Sequence, residues 1–347
     1  MQTPLIIQGG MGIGVSLSGL ASAVATAGGV GVISAAGVGC EEPDYKSDFV
    51  AANTRALAEQ IRKARERTKG VLGVNIMVAL TNFKEMVATA VREKIDIIFS
   101  GAGLPLDLPK YVTDAVSPKL VPIVSSARAA GIICKKWAAR FDRVPDAVVV
   151  EGPMAGGHLG FKPEDIDAEE SRLEALVPQV VEAVRPYAEQ AGREIPVIAA
   201  GGVYTGADIR KYLDLGASGV QLGTRFVATH ECDADQAFKE AYVAAKEEDV
   251  MIIKSPVGMP GRAIRNPFMQ RVEAGERKPF SCPYHCLKSC DYATSPYCIS
   301  VALATAKKGK TDRGLLFAGQ NVHRVDRIMS VQELMDELES EYDAGEG

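Results

Sequence analysis

Pro196-Val-Ile-Ala-Ala-Gly-Gly202 and Gly219-Val-Gln-Leu-Gly-Thr-Arg-Phe226 decide the reading of this fold. Each is a short run of small and apolar residues that ends in glycine. Neither alternates with polar residues. A strand buried on both faces reads this way, as in a parallel sheet covered by helices. Six further runs have the same character, at residues 4–8, 30–34, 71–77, 95–99, 120–124 and 147–150. With residues 196–200 and 219–222 they predict eight strands.

The segments between them carry helical spacing. Ser16 is placed to cap a helix in which Leu17, Leu20, Ala21 and Val24 share a face, with Gly28-Gly29 as its stop. Residues 52–67 and 81–93 read as amphipathic helices, the second capped by Thr81. Segments 107–116, 125–140, 169–190, 206–215 and 234–248 complete the set. Strand and helix alternate eight times, which predicts a closed (β/α)8 barrel, a TIM barrel, over residues 1–249 rather than an open doubly wound sheet. Residues 250–310 break the rhythm and read as an appended lid. Residues 311–347 return to the barrel, with a helix over 329–342 capped near Ser330 and a frayed tail.

The 347 residues carry a net charge of −5 and are 47% hydrophobic. A weakly acidic chain of this composition has material for a large core and no basic surface to draw nucleic acid or anionic lipid. No apolar run reaches the ~18–20 residues of a membrane-spanning helix, and no basic flank precedes the apolar N-terminal residues, so a cytoplasmic protein is expected.

In a barrel, the strand ends meet at one rim, where this fold places its chemistry. Glycines crowd there, at Gln8-Gly9-Gly10-Met11, Ser100-Gly101, Glu151-Gly152, Ala200-Gly201-Gly202 and Leu222-Gly223-Thr224. They let backbone amides approach a ligand, and the last two loops offer amides and a hydroxyl to a phosphate. There is no G-x-x-x-x-G-K-[ST] loop and no acidic residue after the second strand, which excludes a P-loop or Rossmann site. His158 follows the sixth strand in Gly156-Gly157-His158 and is the expected acid–base or substrate-binding group, since imidazole titrates near neutral pH. His230, His285 and His323 lie outside such motifs.

Five segments resemble the nitronate monooxygenase (2-nitropropane dioxygenase) family, which includes the flavin-dependent enoyl-ACP reductase II. They are Pro4-Leu-Ile-Ile-Gln-Gly-Gly-Met11, Gly73-Val-Asn-Ile-Met77, Glu151-Gly-Pro-Met-Ala-Gly-Gly-His-Leu-Gly160, and the two that open this section; Gly261-Arg-Ala-Ile-Arg-Asn266 and Ala318-Gly-Gln320 extend the match. The resemblance implies one FMN. Its ring would lie near Gly10, Met11 and Asn75, and its phosphate on Gly201, Gly202, Gly223 and Thr224. Gly157, Gln221 and Gln320 would be further contacts, and Ser125 and Ser126 would face the ribityl chain or the substrate. The family's active-site histidine falls on His158. The implied activity is oxidation of alkyl nitronates through reduced flavin and oxygen. The alternative is an NAD(P)H-dependent reductase of an enoyl thioester or quinone. A non-catalytic flavin-binding redox sensor and a barrel using another phosphorylated ligand are readings of other classes. A small-molecule substrate follows from all the enzyme readings, and a homodimer from analogy with other barrel flavoproteins.

Seven cysteines are present, four of them at Cys282, Cys286, Cys290 and Cys298. Their spacing matches neither common zinc knuckles nor bacterial ferredoxins. It leaves three readings: a [4Fe–4S] cluster, a zinc ion, or free thiols. The basic residues between Lys254 and Arg265 are placed to meet a dinucleotide or phosphopantetheine phosphate, or to form a solvated loop.

Overall fold

A computed structural model describes residues 5–112, 118–277, 281–282 and 285–345 of the chain. Pro4, residues 113–116 of the expected 107–116 helix, and the last two residues of the tail lie outside the described residues. The strands are β1 (Ile6–Gln8), β2 (Gly31–Ser34), β3 (Leu72–Asn75), β4 (Ile97–Ser100), β5 (Lys119–Val124), β6 (Val148–Glu151), β7 (Gly157–His158), β8 (Val197–Ala200), β9 (Gly219–Leu222), β10 (Val250–Lys254) and β11 (Pro260–Ile264). The helices are α1 (Ser18–Thr26), α2 (Phe49–Arg67), α3 (Phe83–Arg92), α4 (Ala127–Phe141), α5 (Leu173–Ala191), α6 (Gly206–Asp214), α7 (Thr224–Val227), α8 (Gln236–Val243), α9 (Pro267–Glu273), α10 (Ile299–Lys307) and α11 (Val331–Ala344).

All eight expected strands form one parallel sheet in the order β1-β9-β8-β6-β5-β4-β3-β2. It closes where Ile7 bridges Val30: the Gln8 amide donates to the Val30 carbonyl at 3.0 Å, and the Val30 amide to the Ile6 carbonyl at 2.9 Å. The fold is therefore a TIM barrel. Its interior holds Ile7, Val32, Phe99, Val121, Val149, Ile198 and Ala200. The outer faces of the same strands, among them Val74, Ile98, Val148 and Val150, pack under the helices with Ile61, Met86, Trp137 and Val177. This double burial is why the strand sequences do not alternate in polarity. The Trp137 ring is fully buried and its indole N–H donates to the Pro105 carbonyl at 3.0 Å.

The helical expectations need three corrections. Between β4 and β5 the described residues form a short 3-10 turn, Leu108–Tyr111, where prolines at 105 and 109 interrupt α-helical hydrogen bonding. Ser16 does not cap α1: its hydroxyl accepts the Met11 amide at 2.8 Å. Asp233, far along the chain, takes that role, accepting the amides of Leu17, Gly19 and Leu20 at 2.7, 3.0 and 3.1 Å. Thr81 precedes the true N-cap of α3, Asn82, whose side chain makes no capping bond. The C-terminal helix is as expected, with Ser330 and Glu333 forming a capping box.

Residues 250–310 contribute β10 and β11; β11 pairs with β10 on one side and β7 on the other in a second, antiparallel sheet. Gly261 lies opposite His158 and Arg262 opposite Gly157. Among the described residues, no helix is long and apolar enough to cross a membrane.

Asp233 stands in for several orphan donors at once. Asp233→Ala is expected to lower unfolding stability by about 1–3 kcal/mol. A urea midpoint unchanged from the parent would show that water replaces the carboxylate at no cost.

Candidate active site

A cavity of about 530 Å³ opens at the C-terminal ends of the barrel strands, within the usual size of a cofactor or small-ligand site. Gly10, Met11, Asn75, Ser125, Gly157, His158, Gly201, Gly202, Gln221, Gly223 and Thr224 all line it. These residues come from six barrel strands and the loops after them. The parallel topology alone brings them together.

The glycine cradle has a steric cause. Gly201 and Gly202 have φ of +86° and +114°, a region that side chains disfavour. A Cβ at Gly10 would sit 2.4 Å from Cβ of Asn75, so the backbone there runs against the β3 side chain. Thr224 Oγ1 accepts the Gly319 amide at 3.1 Å, which leaves its own proton for another acceptor.

Behind this cradle lies a buried cation. Arg262 donates to Gln320 Oε1 at 2.6 Å and to the Pro153 carbonyl at 2.7 Å, while its Nε has no partner. Both acceptors are neutral, and burial pushes its pKa down from the ordinary guanidinium value. A guanidinium hydrogen-bonded only to neutral groups, with Asp167 offsetting part of its charge, leaves a positive field at the rim, which favours an anion. Amides, a free hydroxyl proton and this field fit the phosphate of FMN.

Gln320 itself is not among the lining residues. Its side chain holds Arg262, and its amide donates to the Met154 carbonyl at 3.0 Å. The neighbouring Asn321 Nδ2 donates to the Gly202 carbonyl at 2.8 Å, and Phe317 and Gly319 line the cavity. Residues 317–321 thus form a strap across the two loops that carry the glycines. Ser126 is the N-cap of α4, accepting the Ala129 amide at 3.2 Å. Ser125 lines the cavity and its hydroxyl donates to the Gly160 carbonyl at 2.8 Å.

His158 is half-buried, with Nε2 at 2.7 Å from Ser255 Oγ and its ring edge-to-face with Phe317 at 5.1 Å. Burial lowers its pKa to about 4, so the imidazole is neutral at pH 7. Ser255 occupies Nε2, and Nδ1 has no partner among the described residues. Sequence reasoning missed Ser255 and the inward turn of Arg262. The first lies 97 positions from His158, and only the β10–β11–β7 sheet brings them together. The second sits in the Gly261-Arg motif, which carried the resemblance but no hint of burial.

The basic stretch does not make a phosphate-binding patch. Lys254 is exposed, Arg262 turns inward, and Arg265 pairs with Glu273 at 3.2 Å. The four cysteines lie near one another: Cys282, Cys290 and Cys298 all act on the Cys286 thiol. Among the described residues, no group of three or more His, Cys, Asp or Glu side chains is arranged to hold a metal ion. Cys286 packs with Tyr45, Phe49 and Cys40, and Cys290 against the cluster around Phe268 and Tyr297. None of the four is in a disulfide, and burial drives the Cys286 thiol up to about 11.

The family model described as nitronate monooxygenase matches residues 1–94 and 49–341. The chain belongs to that family. It is 28% identical to a probable nitronate monooxygenase of Bacillus subtilis, over 97% of this chain and 95% of that one. A carboxyl-CoA dehydrogenase of Mycobacterium tuberculosis is 29% identical over 78% of this chain; the match spans 66% of that protein. Among solved structures, FabK from Thermotoga maritima superposes with a TM-score of 0.75 at 28% identity, covering 99% of this chain and 94% of FabK. The nitroalkane oxidase of Streptomyces ansochromogenes gives 0.75 at 25% identity, covering 99% and 97%. The chain is an oxidoreductase of this family.

Ser255 is the one polar side chain that fixes the His158 ring. Ser255→Ala is expected to leave the fold intact and to lower turnover about tenfold, because the imidazole loses its orientation. Turnover equal to the parent's would show that Phe317 packing alone holds the ring.

Proposed function

We propose that this protein binds FMN in the barrel cavity and oxidises small alkyl nitronates. The observation that carries the reading is the shared rim: a neutral imidazole with one unengaged nitrogen faces the same cavity as an amide cradle suited to a phosphate. FMN bound there would supply the redox chemistry between the nitronate and oxygen. The protein's part is to position and to exclude water. Gly201, Gly202, Gly223 and Thr224 hold the phosphate, with Arg262 supplying charge from behind. Gly10, Met11 and Asn75 meet the ring. Ser255 donates its hydroxyl proton to Nε2 of His158, so Nδ1 keeps the ring proton and donates it to a nitronate oxygen. The imidazole is neutral, so it holds the anion by a hydrogen bond and leaves it uncharged-partnered, reactive and easily released.

A second reading, NAD(P)H-dependent reduction of an enoyl thioester, is favoured by the likeness to FabK and by the relative that acts on a carboxyl-CoA. The cavity wall of Met77, Leu80, Leu104, Leu303 and Phe317 suits an acyl chain. In this proposal the protein works in the cytoplasm as a homodimer.

The two readings separate in one experiment. The purified protein is made anaerobic, and its visible spectrum is followed on adding a nitronate, NADH or NADPH. The first reading expects bleaching by nitronate. Bleaching by a nicotinamide alone would move the protein to the second, and no flavin bands after reconstitution with FMN would remove both.

His158 gives the pH test. Its neutral form is expected to serve down to about pH 4, so kcat/KM for a nitronate should keep no acid limb near the ordinary imidazole range of ~6.5. His158→Ala is expected to lower kcat/KM by roughly 10²–10⁴. An acid limb near 6.5 that vanishes in this variant would show that the imidazole is solvated and works by its charge.

A further inference from the structure

Between α9 and α10, from Ala274 to Cys298, the described residues form no helix or strand. This connection carries Cys282, Cys286, Cys290 and Cys298. One short stretch of it docks on the barrel. Leu287 bridges Leu80, the Thr81 amide donates to the Cys286 carbonyl at 3.2 Å, and the Lys288 amide donates to the Ala79 carbonyl at 2.9 Å. An irregular segment of this length has little core of its own, and a disulfide or a metal commonly staples such segments. None of these four cysteines is in a disulfide.

Local contacts gather the four sulfurs. Cys282 Sγ accepts the His285 amide at 3.3 Å, which sets it beside Cys286. Cys286 Sγ lies 3.2 Å from Ser300 Oγ. Ser300 is in the first turn of α10, and Cys298 is the N-cap of that helix. The Cys290 amide donates to the Leu287 carbonyl at 3.3 Å, so one turn of chain joins Cys290 to the Cys286 side. Electrostatics report the same grouping. Cys282, Cys290 and Cys298 act on Cys286. Cys282 and Cys298 act on Cys290, and Cys282 acts on Cys298. Every pair within the four is therefore in electrostatic reach. Burial first, and then these neighbouring sulfurs, push the Cys286, Cys290 and Cys298 thiols up. Crowded thiols resist ionising together unless a cation joins them.

We propose that Cys282, Cys286, Cys290 and Cys298 bind one soft metal centre through four thiolates, a zinc ion or an iron–sulfur cluster. Thiolate sulfur selects these metals over magnesium or calcium, and four of them complete either centre. As placed, no three of the described side chains are arranged around a metal ion. Each cysteine has a single side-chain torsion with three staggered settings, so the sulfurs can turn to a common point. Binding releases the thiol protons to solvent, and the charge of the centre takes their place. The centre ties the cluster of Tyr45 and Phe49, which holds Cys286, to the cluster of Phe268 and Tyr297, on which Cys290 packs. Cys286, Leu287, Ile299 and Ser300 line the cavity, so the same centre fixes that part of its wall. None of this depends on the FMN reading.

The test reads metal rather than turnover. The full chain is purified anaerobically without chelator or metal-affinity resin, and zinc, iron and acid-labile sulfide are measured per chain. About one zinc, or about four irons with four sulfides, is expected. Sulfide present with the iron identifies the cluster, and zinc without sulfide identifies the single ion. Cys282→Ser and Cys290→Ser should each hold the metal at least about 10–100-fold more weakly. If these variants do not fold, the parent decides alone. Its four thiols should resist a thiol reagent until the metal is stripped, and should then react as the metal appears in solution. A parent that carries neither metal and takes up no added zinc overturns the proposal. So does metal held undiminished by both serine variants, or a parent whose four thiols react freely while its metal stays bound.

Discussion

Closure of the barrel rests on a few backbone hydrogen bonds between β1 and the start of β2, around Val30 and Ile7. A parallel sheet that stayed open would leave two edges of unpaired amides and carbonyls, and its strand ends would lie in a line. Once closed, the same ends form a ring, and side chains far apart in sequence face one volume. Asn75, Glu151, Gln221 and Thr224 share a cavity for this reason alone. The interior cluster of Ile7, Phe99, Val149 and Ile198 fills the barrel below that ring and gives the cavity its floor.

At neutral pH the cavity is almost uncharged. Burial keeps His158 neutral and the Cys286 thiol protonated, and it moves the Glu151 carboxyl up to about 7. No lysine or arginine is among the described residues that line the cavity; Arg262 stands behind the loop. This division suits a ligand with an anionic end and a polarisable ring. The phosphate meets field and amides, and the ring meets neutral donors whose strength is not screened by water.

Much of this was legible in the sequence because its signals are local. Strands buried on both faces must be apolar throughout, so residues 196–200 and 219–222 announce themselves, and the glycines after them mark the rim. What was not legible depends on partners brought together by the fold. Ser16 looks like a helix cap, yet Asp233 does the capping from another part of the chain. Gln320 looks like a ligand contact, yet Arg262 claims its side chain. Spacing reports which groups are near in the chain, and packing decides which way each one turns.

The strap at residues 317–321 has a consequence for how the molecule is made. All eight barrel strands have been synthesised by Leu222, long before the strap. Until then, Arg262 lacks Gln320, the Gly202 carbonyl lacks Asn321, and Thr224 lacks the Gly319 amide. The barrel can thus assemble during synthesis while its rim loops remain unfastened. The nascent chain passes through a stage with a formed scaffold and an unfinished mouth, and the last tenth of the chain fastens the site that the first two-thirds laid out.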